Sequence, residues 1–435
     1  MRRHGIRFLL TFLAGAGVAA LVGASAADVG RLTRPRYEDL LLFTQVLKLV
    51  SRHYVETVEP QRLVRGAVRG LLQVLDPHSS FLGPDALREI QVEIQGEFHG
   101  LGIEIAKRKD GSIEVVAPIE GTPAARAGIR ARDQIVAICP AEPPEDWTEG
   151  CRSSKNLTLF ETVKLLRGKK GTTVTIELFR EGFDRAQPYT FVRDVVKIVS
   201  VSGRMLEPHY AYIRIRAFQE RTSQDLKRTL EQLHEEADGR LEGLVLDLRN
   251  NPGGLLDQAV WVADAWLTDG LVVYTHGHVE AQRKEFRAHA GDTEPRYPIA
   301  VLVNEGTASS SEIVAGALQD QHRALLVGTK TFGKGSVQTV YPLEGGRGLR
   351  LTTAHYYTPS GRSIQEVGIA PDIVVEASPT SRAAEDPTQS PEAGQVAMRD
   401  VQLDRALEVL KSGTTFERLK QGPVARARAA LPGGR

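Results

Sequence analysis

Hydrophobic residues recur at helical spacing in two stretches near the start of the chain. The first stretch carries Leu40, Phe43, Leu47, Val50 and Tyr54, and the second carries Leu63, Val64, Ala67, Val68, Leu71 and Leu72. Steps of three and four residues put these side chains on one face, which predicts amphipathic helices between 37 and 75. The run D-P-H-S-S at 76–80 then breaks the pattern. Such helices need a partner surface, on another domain or on another subunit.

The pattern changes between residues 195 and 375, where short apolar runs alternate with helical stretches. Strands are predicted at 211–215, 243–248 and 299–303, and helices at 225–234, 255–267 and 311–319. This alternation predicts a layered α/β sheet. A further amphipathic helix is predicted at 400–410, after a linker rich in Ala, Pro, Ser, Thr and acidic residues.

Composition excludes some functions. The chain has 435 residues, which is enough for about two to four domains. Its net charge of +1 gives no reason to propose nucleic acid as a partner, and aromatic residues make up only 6%.

The first 26 residues predict export. Arg2, Arg3 and Arg7 precede the apolar stretch 8–22, and A-S-A at 24–26 is typical of a signal-peptide cleavage site. We therefore expect the protein in the periplasm or on the outer face of the cytoplasmic membrane. The apolar stretch is close to the roughly 20 residues that span a bilayer, so an uncleaved anchor in the inner membrane is the alternative.

The only two cysteines, Cys139 and Cys151, bracket a Pro- and acid-rich insert at 140–150. A disulfide that closes this loop suits an oxidising compartment. Two free thiols are the alternative, because a sequence does not fix the geometry that a disulfide needs.

Candidate chemistry lies in N-E-G-T-A-S-S-S-E at 304–312 and T-F-G-K-G-S-V-Q at 331–338. Serine becomes a nucleophile when a base removes its proton, and a lysine can be that base if burial keeps it neutral. Ser309 with Glu312 also matches a helix capping box. G-x-x-x-x-G-K at 328–334 matches part of a phosphate-binding loop, but Gly335 stands where that motif needs Ser or Thr. Residues 336–341 also alternate like a strand where a phosphate-binding loop must lead into a helix, so we reject a nucleotide site.

Together the two segments resemble the active site of the carboxyl-terminal processing proteases, also called tail-specific proteases. The resemblance implies that Ser309 is the nucleophile, that Lys334 is the general base and that Gln338 orients the lysine. The family usually has Ala where this chain has Ser310. The run D-L-R-N-N-P-G-G at 247–254 also matches the family. Backbone N–H groups near a helix start can stabilise an oxyanion, so Gly254 or Gly253, with Ser310, are the expected donors.

Three blocks, at 98–105, 118–129 and 133–138, resemble a PDZ domain. The resemblance implies that Gly100, Leu101, Gly102 and Ile103 bind the carboxylate end of a peptide, which adds as a strand beside 103–105. The family usually has Gly where this chain has His99. The insert at 139–151 departs from the compact PDZ pattern.

The predicted fold is thus multidomain α/β. It comprises a signal peptide or anchor (1–26), an N-terminal helical region (27–95), a β-rich PDZ domain with its insert (96–193), an α/β layered protease core (194–377), and a linker with a C-terminal helical tail (378–435). The resemblance covers about Leu40 to Asp372, most of the chain.

The resemblance implies a serine endopeptidase that recognises the C-terminal tail of a protein through its PDZ domain and cleaves it through an acyl-enzyme. It implies no metal and no cofactor. The partners are proteins or peptides with accessible C-terminal tails, while an adaptor protein, a homo-oligomer and membrane attachment stay open. Two alternatives remain from the residues alone: a PDZ scaffold without activity, and a Ser-Lys hydrolase of small esters or amides.

Overall fold

The computed structural model describes residues 37–108, 110–143, 147, 150–278, 283–291, 293–377 and 400–413. The chain divides into two compact units that part between Phe81 and Leu82. The signal peptide or anchor predicted at 1–26 lies outside the described residues. No helix within the described ranges is long and apolar enough to cross a membrane.

The first unit contains α1 (Tyr37–His53) and α2 (Pro60–Gln73), and the short strand β1 (Ser80–Leu82) begins at its end. Proline is well suited to the first helical position of α2, where its missing N–H would be unpaired anyway. The two predicted helices are confirmed. Many large apolar side chains of these helices and of the residues that follow each of them are at least two-fifths exposed: Leu40, Leu41, Leu42, Phe43, Val46, Leu49, Tyr54, Val55, Val64, Leu71, Val74 and Leu75.

The helical part of the first unit is followed by a hydrogen-bonded turn. The carboxylate of Asp76 accepts the N–H groups of His78 and Ser79, both at 2.7 Å, and the hydroxyl of Ser79 at 2.8 Å. His78 therefore lies in an Asx-type turn, in which its backbone N–H stabilises the turn.

The second unit begins with α3 (Pro84–Gln95), followed by a β-rich region. Its antiparallel sheet has the order β3 (Ile103–Lys107), β4 (Ile113–Pro118), β5 (Gln134–Pro140), β7 (Thr173–Phe179) and β8 (Gln187–Val192), with β6 (Arg152–Ser153) on β5. Two helices, α4 (Pro123–Arg126) and α5 (Leu159–Leu166), complete it. The strands β2 (Glu97–Gly100) and β9 (Asp194–Lys197) pair where the chain enters and leaves this region.

A disulfide joins Cys139 at the end of β5 to Cys151 just before β6, with sulfur atoms 2.09 Å apart. It closes the insert, and the indole of Trp147 inside the insert packs against the core of the β-rich region. The guanidinium of Arg152 stacks on that indole at 4.8 Å. The insert is therefore tied down at both ends and by its one tryptophan.

The protease core is built on a six-stranded sheet. Its order is β10 (Val201–Glu207), β11 (Tyr210–Ile215), β12 (Gly243–Asp247), β15 (Ile299–Val303), β16 (Leu325–Gly328) and β19 (Ile373–Val374). All neighbours are parallel except β10 and β11. Every residue of β12 and β15 is buried, as expected for central parallel strands that are covered on both faces.

Helices cover both faces of this sheet. One face packs against α6 (Thr222–Glu236), α7 (Leu256–Asp264) and α8 (Ser310–Asp320). The other face packs against the C-terminal helix α9 (Val401–Lys411), whose Ala406, Val409 and Leu410 contact alternate side chains of β12, β15 and β16. The layered α/β core predicted from the alternating pattern is confirmed.

A second, antiparallel sheet follows. It contains β13 (Leu271–Gly277), β14 (Lys284–Arg287), β17 (Ser336–Leu343) and β18 (Arg347–Tyr357), with β18 between β17 and β13. The pairing of β17 with β18 contains a bulge: Val337 lies opposite Ala354, whereas the next residue, Gln338, lies opposite Thr352. The extra residue on β18 changes the direction of the side chains around it.

This topology brings two loops together. The loops that follow β12 and β15 leave the sheet at the carboxyl ends of adjacent parallel strands, which is where α/β proteins place their sites. The first loop contains 249–254, and the second contains 304–309.

Candidate active site

Ser309 lies at the N-terminus of α8 in a backbone conformation that few non-glycine residues adopt. Its φ is 56° and its ψ is −117°, and only 7% of the residue is exposed. Strained backbone of this kind costs on the order of 1–3 kcal/mol and persists only where the surroundings impose it. The fold thus holds the residue that the sequence identifies as the nucleophile in one orientation.

Glu312 binds the main chain of Ser309 in this conformation. Its buried carboxylate accepts two hydrogen bonds on each oxygen: Oε2 from the N–H groups of Ser309 and Lys334, both at 2.8 Å, and Oε1 from the Gly333 N–H at 2.7 Å and the Thr331 hydroxyl at 2.5 Å. Burial raises the pKa of Glu312, although these four hydrogen bonds favour its charged form. One carboxylate therefore fixes the main chain of the serine relative to that of the lysine.

Lys334 is half-buried on a turn between two glycines. Burial lowers the pKa of Lys334, the charge of Arg350 lowers it further, and Glu312 opposes the shift. A Cβ at Gly335 would lie 2.2 Å from the backbone nitrogen of Gln365, so no other residue fits there without displacing the neighbouring chain. The turn thus carries a half-buried lysine whose lowered pKa favours the neutral amine that a general base needs.

Gln338 lies four residues after Lys334, on β17. Its Nε2 donates to Ser336 Oγ at 3.1 Å and to Thr352 Oγ1 at 2.9 Å. Its Oε1 is buried and has no hydrogen-bond partner among the residues that the structure describes. In the same part of the chain, no hydrogen bond joins the side chains of Ser309, Lys334 and Gln338. Such bonds are often formed only when substrate binds.

In the loop after β12, Gly253 and Gly254, the two glycines expected as alternative oxyanion donors, differ in their hydrogen bonds. The Gly253 N–H donates to Oδ1 of the buried Asn251 at 2.9 Å, whereas the N–H of Gly254 has no hydrogen-bond partner within the described ranges. A Cβ at Gly253 would lie 2.8 Å from the Cβ of Ser309. Gly253 therefore lets the loop approach the serine, while Gly254 has the N–H that is available to a ligand.

Hydroxyl groups attach this loop to the start of α8. Ser310 Oγ donates to the Gly254 carbonyl at 2.9 Å. Ser311 Oγ donates to the Asn251 carbonyl at 3.0 Å, and this carbonyl also accepts the Ala308 N–H at 2.9 Å. Two of the three residues expected to supply oxyanion donors, Gly254 and Ser310, are thus hydrogen-bonded to one another.

The same loop begins at a buried charge cluster. The Arg249 guanidinium donates to Asp247 at 2.7–3.2 Å, to Asp400 at 2.7 and 3.0 Å, and to Gln402 at 3.0 Å. Burial opposes the charge on Asp400, but the hydrogen bonds and charge of Arg249 hold the pKa of that carboxyl below its ordinary value. The sequence did not indicate the contact between Arg249 and Asp400, because these residues lie 151 positions apart and on either side of a linker.

The β-rich region contains a groove between β3 and α5. Its volume is about 370 Å³, and its apolar lining includes Phe98, Leu101, Ile103, Ile105, Val163 and Leu166. The four residues predicted to bind a peptide, Gly100, Leu101, Gly102 and Ile103, all line it. A Cβ at Gly102 would lie 2.3 Å from Thr122, which explains why this loop needs glycine. Strand β3 is at the edge of its sheet and can accept a further strand.

Within the described residues, no group of three or more His, Cys, Asp or Glu side chains is placed to hold a metal ion. His355, the histidine of the core segment 354–357, is exposed on β18 opposite His276.

Comparison with known proteins agrees with this architecture. The chain matches the model of peptidase family S41 over residues 209–375, that of the PDZ domain over 89–178, and that of the activating protease CtpB N-terminal domain over 22–86.

Two relatives and one solved structure illustrate the similarity. The carboxy-terminal-processing protease of Bartonella bacilliformis is 42% identical over 373 residues, which cover 85% of this chain and 83% of the relative. The carboxyl-terminal-processing protease of Synechocystis sp. is 36% identical over 409 residues, 92% of this chain and 90% of the relative. The photosystem II D1 C-terminal processing protease has a TM-score of 0.44 at 29% identity, with 86% of this chain and 98% of that chain covered. The chain belongs to the carboxyl-terminal processing proteases, serine-type peptidases of family S41 that carry a PDZ domain.

Proposed function

We propose that this protease cleaves its substrates with Ser309 as nucleophile and Lys334 as general base, after the PDZ groove has bound the substrate's C-terminal tail. One observation carries the assignment: the N–H groups of both residues donate to the same buried carboxylate oxygen of Glu312. A fixed relation between nucleophile and base is what general-base catalysis requires.

The reaction then follows from the site. The neutral Lys334 amine takes the proton of Ser309 Oγ, and Oγ attacks the scissile carbonyl. The N–H groups of Ser310 and Gly254, at the positive end of the α8 dipole, stabilise the oxyanion. When the tetrahedral intermediate collapses, the Lys334 ammonium protonates the leaving amine. A water that Lys334 deprotonates next hydrolyses the acyl-enzyme and restores the serine.

Tail selection is assigned to the groove between β3 and α5. Its lining is apolar, so a tail that ends in apolar residues suits it best. The tail would lie along the free edge of β3 and donate and accept main-chain hydrogen bonds, while the loop at 100–102 receives its carboxylate. A free C-terminus is then part of what the enzyme recognises.

The test uses the chain without residues 1–26 and an unstructured protein that ends in an apolar tail. The same substrate with an amidated C-terminus is the comparison, and Ser309→Ala and Lys334→Ala run in parallel. We expect rapid cleavage of the free tail, slower cleavage of the amidated one and no cleavage by either variant. Full activity of Ser309→Ala would overturn the catalytic assignment, and equal rates on both substrates would overturn the assignment of the groove.

We also propose that the protein is exported to the periplasm or to the outer face of the cytoplasmic membrane. The basic and apolar pattern of residues 1–26 supports this. The mass of the protein recovered after cell fractionation decides between removal of these residues and their retention as a membrane anchor. Recovery of full-length soluble protein in the cytoplasm would contradict both.

The exposed apolar side chains of α1 and α2 support assembly with a second copy of this chain, since a face of this kind marks an interaction surface. Light scattering should show a dimer or a larger assembly, and Leu42→Glu together with Leu49→Glu should shift it to the monomer. A monomeric parent protein would favour an adaptor protein as the occupant.

A further inference from the structure

In the amide group of Gln338, the nitrogen has hydrogen-bond partners and the buried oxygen has none, which is unusual for a buried polar atom. Its nitrogen has two hydrogen atoms and two acceptors, Ser336 Oγ at 3.1 Å and Thr352 Oγ1 at 2.9 Å. Its oxygen is buried without a partner among the described residues. An unpaired buried acceptor costs free energy, so its presence calls for a donor that arrives during function.

Lys334 is the donor that the fold offers. It precedes β17 by two residues, it is half-buried, and its ammonium makes no hydrogen bond within the described part of the chain. A lysine without a hydrogen-bond partner among the described residues and a buried, unpaired amide oxygen thus lie four residues apart on one turn and strand. A bond between them would satisfy both groups and orient the lysine.

The β-bulge explains how the amide comes to face its two hydroxyl partners. In the register of β17 with β18, Gln338 lies opposite Thr352, and the following pair on the same strands is Thr339 with Leu351. Thr353 is the extra residue, and its hydroxyl pairs instead with that of Thr339 at 2.8 Å. Without the bulge, Gln338 would lie opposite Thr353 rather than Thr352.

We propose that Thr352 is a positioning residue of the active site: its hydroxyl, with that of Ser336, holds the Gln338 amide so that the oxygen faces the Lys334 amino group and accepts one of its N–H groups. The inference rests on the proposed roles of Ser309 and Lys334. If the amide turned over, its NH₂ group would face the lysine nitrogen and donate to the lone pair that must take the serine proton. The hydroxyl groups of Ser336 and Thr352 prevent this reversal because they hold the NH₂ group on their side.

The experiment compares two adjacent threonines on β18. Thr352→Val removes the hydroxyl that binds Gln338 and keeps the side-chain shape, whereas Thr353→Val removes an equally short cross-strand bond that does not involve Gln338. We expect Thr352→Val to lower kcat about three- to tenfold, the factor that one hydrogen bond is worth, with KM unchanged. Thr353→Val should leave kcat near that of the parent, and Thr352→Ser, which retains the hydroxyl, should restore it.

A double-mutant cycle separates positioning from mere stability. In a Gln338→Ala background, Thr352→Val should have no further effect on kcat, because the side chain it acts through is gone. Ser336→Ala gives the same test if Thr352→Val folds poorly, and thermal unfolding of each variant reports its folding.

Three results would overturn the proposal. Thr352→Val could cost no more than Thr353→Val, its effect could persist in full without Gln338, or Gln338→Ala could be as active as the parent while Ser309→Ala and Lys334→Ala are inactive. In the third case the proposed function stands and only this inference falls. Activity in Ser309→Ala would instead remove the proposed function, and the inference with it.

Discussion

Ser309 and Lys334 donate their backbone N–H groups to the same atom, Oε2 of Glu312, and both bonds are 2.8 Å long. The two residues lie 25 positions apart in sequence, on a helix start and on a turn between glycines. A shared acceptor fixes the distance between their main chains more strictly than two separate contacts could.

Replacement of Glu312 by Gln should therefore remove activity. One of the two oxygens becomes an NH₂ group that cannot accept, so two buried N–H or O–H donors lose their partner, at a cost of about 1–3 kcal/mol each. We expect kcat to fall at least a hundredfold and the melting temperature to fall with it. Glu305→Gln, an exposed change in the preceding turn, is the control and should be near neutral. A Glu312→Gln protein with normal kcat would show that the shared acceptor is dispensable.

The activity should increase with pH until the lysine is neutral. Burial and Arg350 lower the pKa of Lys334 from its ordinary value of 10.5, so the rise in kcat/KM should end below that pH. Arg350→Met removes a positive neighbour, which favours the ammonium, raises the pKa and shifts the profile to higher pH. Arg347→Met, at the exposed start of β18, should leave the profile in place. A profile of Arg350→Met that moves to lower pH would contradict this account.

Much of this site was accessible from the sequence, and the reasons for the remainder are specific. Buried strands of a parallel sheet are apolar almost throughout, so strands could be predicted at 243–248 and 299–303, and the loops after them could be placed at one edge of the sheet. Spacing could not show that the N–H groups of Gly253 and Gly254 differ, because the difference depends on the side chain of Asn251, which accepts the N–H of Gly253.

Glu312 was predicted only as a helix cap. Its contacts with 331–334 arise because the chain returns to the start of α8 after β16, which no local pattern reveals. The cluster of Arg249 and Asp400 was missed for the same reason. A local interaction can be predicted from the residue types of one segment. An interaction between distant segments depends on how the whole core packs, so a local pattern does not predict it.

Ser310 offers a test of the oxyanion donors. Ser310→Ala removes the bond to the Gly254 carbonyl, so we expect a two- to tenfold lower kcat and a similar loss of affinity for a peptide boronate that mimics the tetrahedral intermediate. Ser311→Ala is the matched control, since the carbonyl of Asn251 keeps the Ala308 N–H as a donor. Equal effects of the two changes on boronate affinity would argue against a role for Gly254 in the oxyanion hole.

The groove should distinguish free tails from blocked ones. Val163→Asp places a charge in its apolar lining, next to where a bound tail would lie, and should repel a C-terminal carboxylate. We expect the preference for the free tail over the amidated one to shrink towards one, with little change in cleavage of the amidated substrate. Thr175→Val, on a strand outside the groove lining, serves as the control. A Val163→Asp protein that retains the full preference would place tail recognition elsewhere.

The contacts of Arg249 affect the order in which the parts of the active site fold. Arg249 opens the loop that contains Gly253 and Gly254, yet its partner Asp400 is synthesised 151 residues later. Contacts of such long sequence separation form late, because a large loop must close before they are gained. We therefore expect an emerging chain to contain the serine and the lysine for some time before the loop with Gly253 and Gly254 is fixed. Catalytic competence would then be one of the last properties that the folding chain acquires.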